Sequence, residues 1–116
     1  MWIILSVSSK VQIKTTETFE KSFTKLYKKD KHLLGELEEL TSTLKSNHNF
    51  GTSLGNGRYK IRLQNKSNNK GKSGGYRVVT YTKIEDTVLL VYIYSKSDIE
   101  NISENKIDEI IKSYRV

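Results

Sequence analysis

Arg58-Tyr59-Lys60-Ile61-Arg62-Leu63 is the stretch on which the reading of this chain turns. Its side chains alternate strictly, so an extended backbone places Tyr59, Ile61 and Leu63 on one face and Arg58, Lys60 and Arg62 on the other. That pattern predicts a strand with one face on a core and the opposite face carrying cations. Toward the N-terminus the period lengthens. Phe19, Phe23, Leu26 and Tyr27 fall at i, i+4, i+7 and i+8, one side of a helix that Thr16 can cap and Glu17 can favour in its first turn. Asp30 is placed to cap a second helix through Leu33, Leu37, Leu40 and Leu44, with Glu36, Glu38 and Glu39 toward water. Val11 and Ile13 alternate with polar residues and predict a short strand ahead of the hairpin. Toward the C-terminus, Tyr76 to Tyr81 reads as a strand, and Glu85-Asp86 as a turn. Thr87 to Tyr94 is apolar on both faces, as in a strand covered on both sides. Ser103 and Glu104 open a last helix with Ile107, Ile110, Ile111 and Tyr114 inward. The order β-α-α-β-β-β-α predicts an α+β fold: an N-terminal strand, an α-helical hairpin packed on a largely antiparallel three- to four-stranded sheet, and a C-terminal helix.

The chain has 116 residues, which suits one domain over 1–116. Residues 1–10, beginning Met1-Trp2-Ile3-Ile4-Leu5, read as a strand or an extension, because the apolar run lacks the basic lead and cleavage site of a signal peptide. With no cysteine, disulfide scaffolds, thiol nucleophiles and thiolate zinc sites are excluded. His32 and His48 alone cannot cage a metal, so neither metal nor cofactor is expected. No apolar run is long enough to span a membrane, and a cytoplasmic location is expected.

The net charge of +7 is unevenly spread. From Thr41 to Ile84 there is no Asp or Glu, against nine Lys and Arg, while the rest of the chain holds 11 basic and 13 acidic residues. Three of the four arginines lie inside this basic segment, and arginine is the side chain suited to bidentate phosphate recognition. A solvated basic face is the plain alternative. Exclusion of acids over such a length points to a polyanion, most simply nucleic acid.

Gly71-Lys72-Ser73 looks superficially like the end of a phosphate-binding loop, but Lys66 stands where the motif needs glycine, and a strand rather than a helix follows. His32 and His48 have no orienting partner in sequence and read as surface residues. The remaining constellation is Lys60 and Arg62 on one strand face, with Arg77 brought beside them by the next strand.

The series Gly51-x-x-Leu54, Gly57-Arg58-Tyr59-Lys60-Ile61-Arg62-Leu63, Gly71-Lys72-Ser73-Gly74-Gly75-Tyr76-Arg77-Val78-Val79 and Ile93-Tyr94-Ser95-Lys96-Ser97 resembles the RelE/ParE superfamily of type II toxin–antitoxin toxins, most closely its RelE- and HigB-like mRNA interferases. The resemblance implies a ribosome-dependent, metal-independent endoribonuclease that arrests translation, with the ribosome and mRNA as partners and a cognate antitoxin as inhibitor. It implies catalytic roles for Lys60, Arg62, Arg77 and Lys96. Relatives carry a tyrosine a few residues beyond the last basic position, where this chain has Asp98-Ile99-Glu100-Asn101-Ile102, so Tyr94 or Tyr92 would stand in for it. Arg58, Lys66, Lys70 and Lys72 are then expected to contact RNA phosphates. Two alternatives stay open: a ParE-like inhibitor of a topoisomerase, and a non-catalytic RNA- or partner-binding member of the fold.

Overall fold

The computed structural model describes residues 11–64, 75–99 and 101–115. The strand or extension expected over residues 1–10 lies outside them. The elements run β1 (Gln12–Thr15), α1 (Glu17–Lys29), α2 (Leu33–Ser46), β2 (Thr52–Gly55), β3 (Arg58–Leu63), β4 (Tyr76–Ile84), β5 (Thr87–Ser95) and α3 (Glu104–Arg115). They form one sheet of order β1-β5-β4-β3-β2, antiparallel except for the parallel β1–β5 pair. The expected α+β architecture is present, with one strand more than the sequence predicts. That strand, β2, is a four-residue edge segment whose Thr52 and Ser53 are exposed, so it carries no hydrophobic alternation. Gly51 precedes it at φ +111°, and a Cβ there would sit 2.8 Å from the Lys60 carbonyl oxygen; only glycine lets the chain leave α2 and close onto β3.

Thr16 fixes the start of α1 in two directions. Its hydroxyl oxygen accepts from the Phe19 N–H at 2.9 Å and donates to the Val91 carbonyl at 2.7 Å, capping the helix and fastening it to β5. The two helices of the hairpin cover one sheet face, where Phe19, Leu33, Leu40 and Leu44 meet Ile61, Leu63, Val78, Val88, Leu90 and Ile93. α3 covers the other, with Ile107, Ile110 and Ile111 against Val79, Leu89, Val91 and Tyr94. Tyr114, read from sequence as inward, is 37% exposed because it lies at the end of α3 beyond that contact. β5 is thus buried on both faces, as its continuous apolar run requires. Among the described residues no helix is long and apolar enough to cross a membrane.

β5 carries one irregularity. Val79 pairs with Tyr92 but Thr80 pairs with Leu90, so Val91 is an extra, bulged residue. The bulge shifts the alternation by one, and Tyr92 and Tyr94 join Leu89 and Val91 on the α3 face.

Asp30 departs from its expected role. It ends α1, and His32 occupies the cap position of α2 without a side-chain cap bond. The Asp30 carboxylate is buried and accepts from the Tyr76 hydroxyl at 2.8 Å and from the His32 N–H at 3.0 Å, joining the hairpin to the first residue of β4. Burial, then the bond to and charge of Asp30, hold the Tyr76 phenol well above the usual tyrosine value. A group raised in the folded state lends stability that is complete below its unfolded value, about 10 for tyrosine, and lost as pH climbs above it. Tyr76→Phe should cost about 1–3 kcal/mol at neutral pH, by removing the donor from a buried carboxylate. It should also flatten the decline in urea midpoint between pH 9 and 11, roughly the interval spanning the free phenol's titration. A variant as stable as the parent, with an unchanged alkaline slope, would show that the bond contributes nothing.

Candidate active site

Strand register builds the site. Arg62 of β3 lies opposite Arg77 of β4, and Arg77 lies opposite Tyr94 of β5, so the three form one row across the sheet. The next row is Lys60, Val79, Tyr92. The Lys96 N–H donates to the Gly75 carbonyl at 3.0 Å, which sets the bonding alternation: Arg77 and Tyr94 exchange backbone bonds, whereas Arg62 and Arg77 form a non-bonded pair. That is the closer of the two antiparallel pair types, with Cα atoms roughly 4.5 Å apart. Two arginines are therefore set opposite one another on one face by the backbone itself. Like charges in this position repel.

The three cations of β3 meet different fates. Arg58, expected with the RNA-contacting residues, is 4% exposed and engaged by α3. Its Nη1 donates to Asp108 Oδ1 at 3.2 Å and its Nη2 to Glu104 Oε1 at 3.3 Å, while Nε and Nη2 also serve the Gly55 and Leu54 carbonyls. This is a structural clamp, and it removes Arg58 from the exposed charge. Lys60 is half-buried, and its Nζ donates to the neutral Asn101 Oδ1 at 3.2 Å. Arg62 is exposed. Arg77 is 8% exposed, and its Nη1 donates to the Tyr76 carbonyl at 3.3 Å. Among the described residues neither Arg62 nor Arg77 is in an ion pair with a carboxylate. Among the described residues the row thus holds two positive charges without a carboxylate partner, an arrangement relieved by an anion laid across it.

Tyr94 closes the row from the β5 side. Its ring lies 5.9 Å from that of Tyr92, and its hydroxyl is buried with no hydrogen-bond partner of ordinary geometry among the described residues. Burial raises its pKa, outweighing the Arg77 charge and the Ile102 N–H, both of which act in the opposite direction. Lys96 lies in the turn after β5, half-buried and beyond the end of the row. Lys66, Lys70 and Lys72 lie outside the described residues.

Asn101 and Ile102 were not legible as site residues. They sit in the short connection between β5 and α3, which has neither helical nor strand periodicity, and only the fold brings them onto Lys60 and Tyr94. Of the expected catalytic set, the structure gathers Lys60, Arg62, Arg77 and Tyr94 on one face and leaves Lys96 at its margin.

A family model described as the RelE toxin of the RelE/RelB toxin–antitoxin system matches residues 11–114. No curated protein matches the chain.

Proposed function

The chain belongs to the RelE toxin family and is the toxin of a toxin–antitoxin system, and from that premise we propose that it is an endoribonuclease that cuts mRNA on the ribosome. The observation that carries this reading is the row Arg62, Arg77, Tyr94, whose arginines have no carboxylate partner among the described residues and which has Lys60 beside it. Such a row suits a phosphodiester and argues against a topoisomerase inhibitor that acts through protein contact alone.

The RNA supplies its own nucleophile. Lys60 is the candidate base that takes the proton from a 2′-OH. The freed oxygen attacks the adjacent phosphorus, and the P–O5′ bond breaks. Arg62 and Arg77 stabilise the negative charge that builds on the phosphorane oxygens. Lys96 and Tyr94, whose hydroxyl must first be uncovered, are the candidate donors of a proton to the 5′-oxygen. The products are a 2′,3′-cyclic phosphate and a 5′-hydroxyl. Lys66, Lys70 and Lys72 would add sequence-independent phosphate contacts, which position the protein without selecting a sequence.

The test uses the purified protein with ribosomes programmed with a defined mRNA, with the same RNA free in solution, and with a topoisomerase supercoiling assay in parallel. Expected are cuts in ribosome-bound mRNA with 5′-hydroxyl ends, a yield that falls as salt rises, and unaffected supercoiling. Intact mRNA with blocked supercoiling would instead assign the chain to the topoisomerase-directed class.

A further inference from the structure

Lys60 leaves β3 on the sheet face that α3 covers, opposite Val79 and between Arg58 and Arg62. Among the described residues its side chain is in no ion pair, and its one hydrogen bond runs from Nζ to Asn101 Oδ1 at 3.2 Å. The acceptor comes from the connection between β5 and α3, which is fastened on both sides of it. Before it, the Asp98 and Ile99 amides donate to the Ser95 carbonyl at 3.0 and 3.1 Å and fix the turn that ends β5. After it, Ile102 packs against the cluster of Val79, Val91, Tyr94 and Ile107. Ser103 Oγ accepts from the Lys106 N–H at 3.1 Å and caps α3, which Arg58 holds through Glu104 and Asp108. The backbone at Asn101 is therefore placed by the fold, and its exposed side chain reaches back to the lysine.

The chemistry of that acceptor is informative. Asp98-Ile99-Glu100-Asn101-Ile102-Ser103-Glu104 holds three carboxylates, yet the side chain that meets Lys60 is an amide. A lysine takes up a proton only from its uncharged form, through a free lone pair. A carboxylate within about 4–6 Å would favour the charged form by roughly 1–3 units and so keep the proton on. An amide oxygen has no net charge. It accepts one N–H, which fixes the direction of Nζ, and leaves the lone pair of the neutral amine free. When the 2′-OH proton moves to Nζ the amine becomes an ammonium, and the same bond becomes charge-assisted and stronger. An interaction that strengthens toward the transition state raises the rate rather than the affinity. The other charged or titratable groups arrayed around Lys60 are Arg58 and Arg62 on its own strand face, Arg77 on β4, Tyr92 in its row on β5, and Glu104 and Asp108 on α3, both bound to Arg58.

We propose that Asn101 is a positioning residue for Lys60, aiming its Nζ at the phosphodiester row while keeping a carboxylate away from it. This role rests on the reading of Lys60 as the base of a nuclease. Asn101 acts only through the lysine. A purely structural role is the competing account. Against it, the Asn101 side chain is exposed and makes no hydrogen bond among the described residues other than the one to Lys60. Replacing it should therefore leave the urea midpoint where it is.

The test compares the parent with Asn101→Asp, Asn101→Ala and Asn101→Gln in single-turnover cleavage of ribosome-programmed mRNA over roughly pH 6 to 9. The same proteins without ribosomes, ¹³C-labelled at lysine Cε, report the charge state of Lys60 by NMR on titration to alkaline pH, with Lys60→Arg identifying its signal. Asn101→Asp should cut about tenfold more slowly at neutral pH and recover as pH rises. Its profile should be displaced upward by about one unit, the low end of the range for an adjoining charge because the position is exposed. The Lys60 signal should move by the same interval. Asn101→Ala should lose about tenfold with no upward displacement, and Asn101→Gln, which carries the carbonyl on a longer arm, should recover part of that loss. Parental cleavage by both Asn101→Asp and Asn101→Ala would overturn the proposal. So would equal losses in the two with an undisplaced profile, which is the mark of a merely structural role. The two failures separate. A parent that leaves programmed mRNA intact sinks the nuclease reading, whatever the Lys60 signal does. A parent that cuts, with a Lys60 signal indifferent to residue 101, sinks only the role of Asn101.

Discussion

Arg77→Ala is expected to lower ribosome-dependent mRNA cleavage by about 10²–10³-fold, the usual effect of removing one group that stabilises transition-state charge. Arg77 is the middle of the row, opposite Arg62 on one side and Tyr94 on the other, and it is 8% exposed. Its charge therefore acts through a poorly solvated environment, where each interaction counts for more than at the surface. Arg62 is exposed, so Arg62→Ala should cost less in rate and almost nothing in stability. Arg77→Lys separates charge from shape: it keeps the cation but loses the planar fork, and should recover part of the rate. If both arginines bear on one phosphate, the double replacement should lose less than the product of the single losses. Urea unfolding guards the interpretation, because Arg77→Ala also frees the Tyr76 carbonyl and should cost on the order of 1 kcal/mol. Single-turnover cleavage by folded Arg77→Ala at the parental rate would end the nuclease assignment of this row.

The alternation of Arg58 to Leu63 carried the face assignment, because the side-chain period of a strand is independent of what packs on it. That Arg77 sits opposite Arg62 needed the register, which the connection over residues 65–74 does not specify by length alone. The orientation of Tyr94 was less accessible still. Thr87 to Tyr94 is apolar throughout, so nothing in it marks the bulge at Val91, yet that extra residue decides which face the two tyrosines share with the arginines. Asp30 was read for its local capping chemistry, whereas a partner 46 positions away, Tyr76, uses its carboxylate. Arg58 and Arg62 are indistinguishable by local rules. They share residue type, strand and face, and differ only because α3 brings Glu104 and Asp108 to one of them. Charge along the sequence therefore marked the basic segment, while the fold chose which of its described cations are paired with carboxylates.

That clamp carries the second large expected effect, and its sign depends on which partner is removed. Arg58 has a side chain 5% exposed, while the carboxylates of Glu104 and Asp108 are 67% and 61% exposed. Replacing both acids, Glu104→Gln with Asp108→Asn, leaves a guanidinium buried with only the Leu54 and Gly55 carbonyls and weaker amide acceptors around it. Breaking a buried pair in this direction costs about 3–5 kcal/mol when both charges are enclosed. Here the acids are mostly in water and screened, so about 2–3 kcal/mol is expected. Removing the cation instead, as Arg58→Met, strands no buried charge: both acids return to solvent, and the methionine fills much of the volume. The loss should then be about 1 kcal/mol, chiefly from the two carbonyls left without donors. Because Ile107, Ile110 and Ile111 hold α3 to the sheet beside the clamp, the acid-replaced protein should show faster amide exchange in α3 before any change in β4 or β5. The connection through Asn101 and Ile102 would loosen with it, releasing Lys60 and uncovering Tyr94. Urea unfolding of the two variants gives the comparison directly. If Arg58→Met proves the more destabilised, the guanidinium contributes through packing and carbonyl bonds, and α3 is held over the site by something other than compensation of that buried charge.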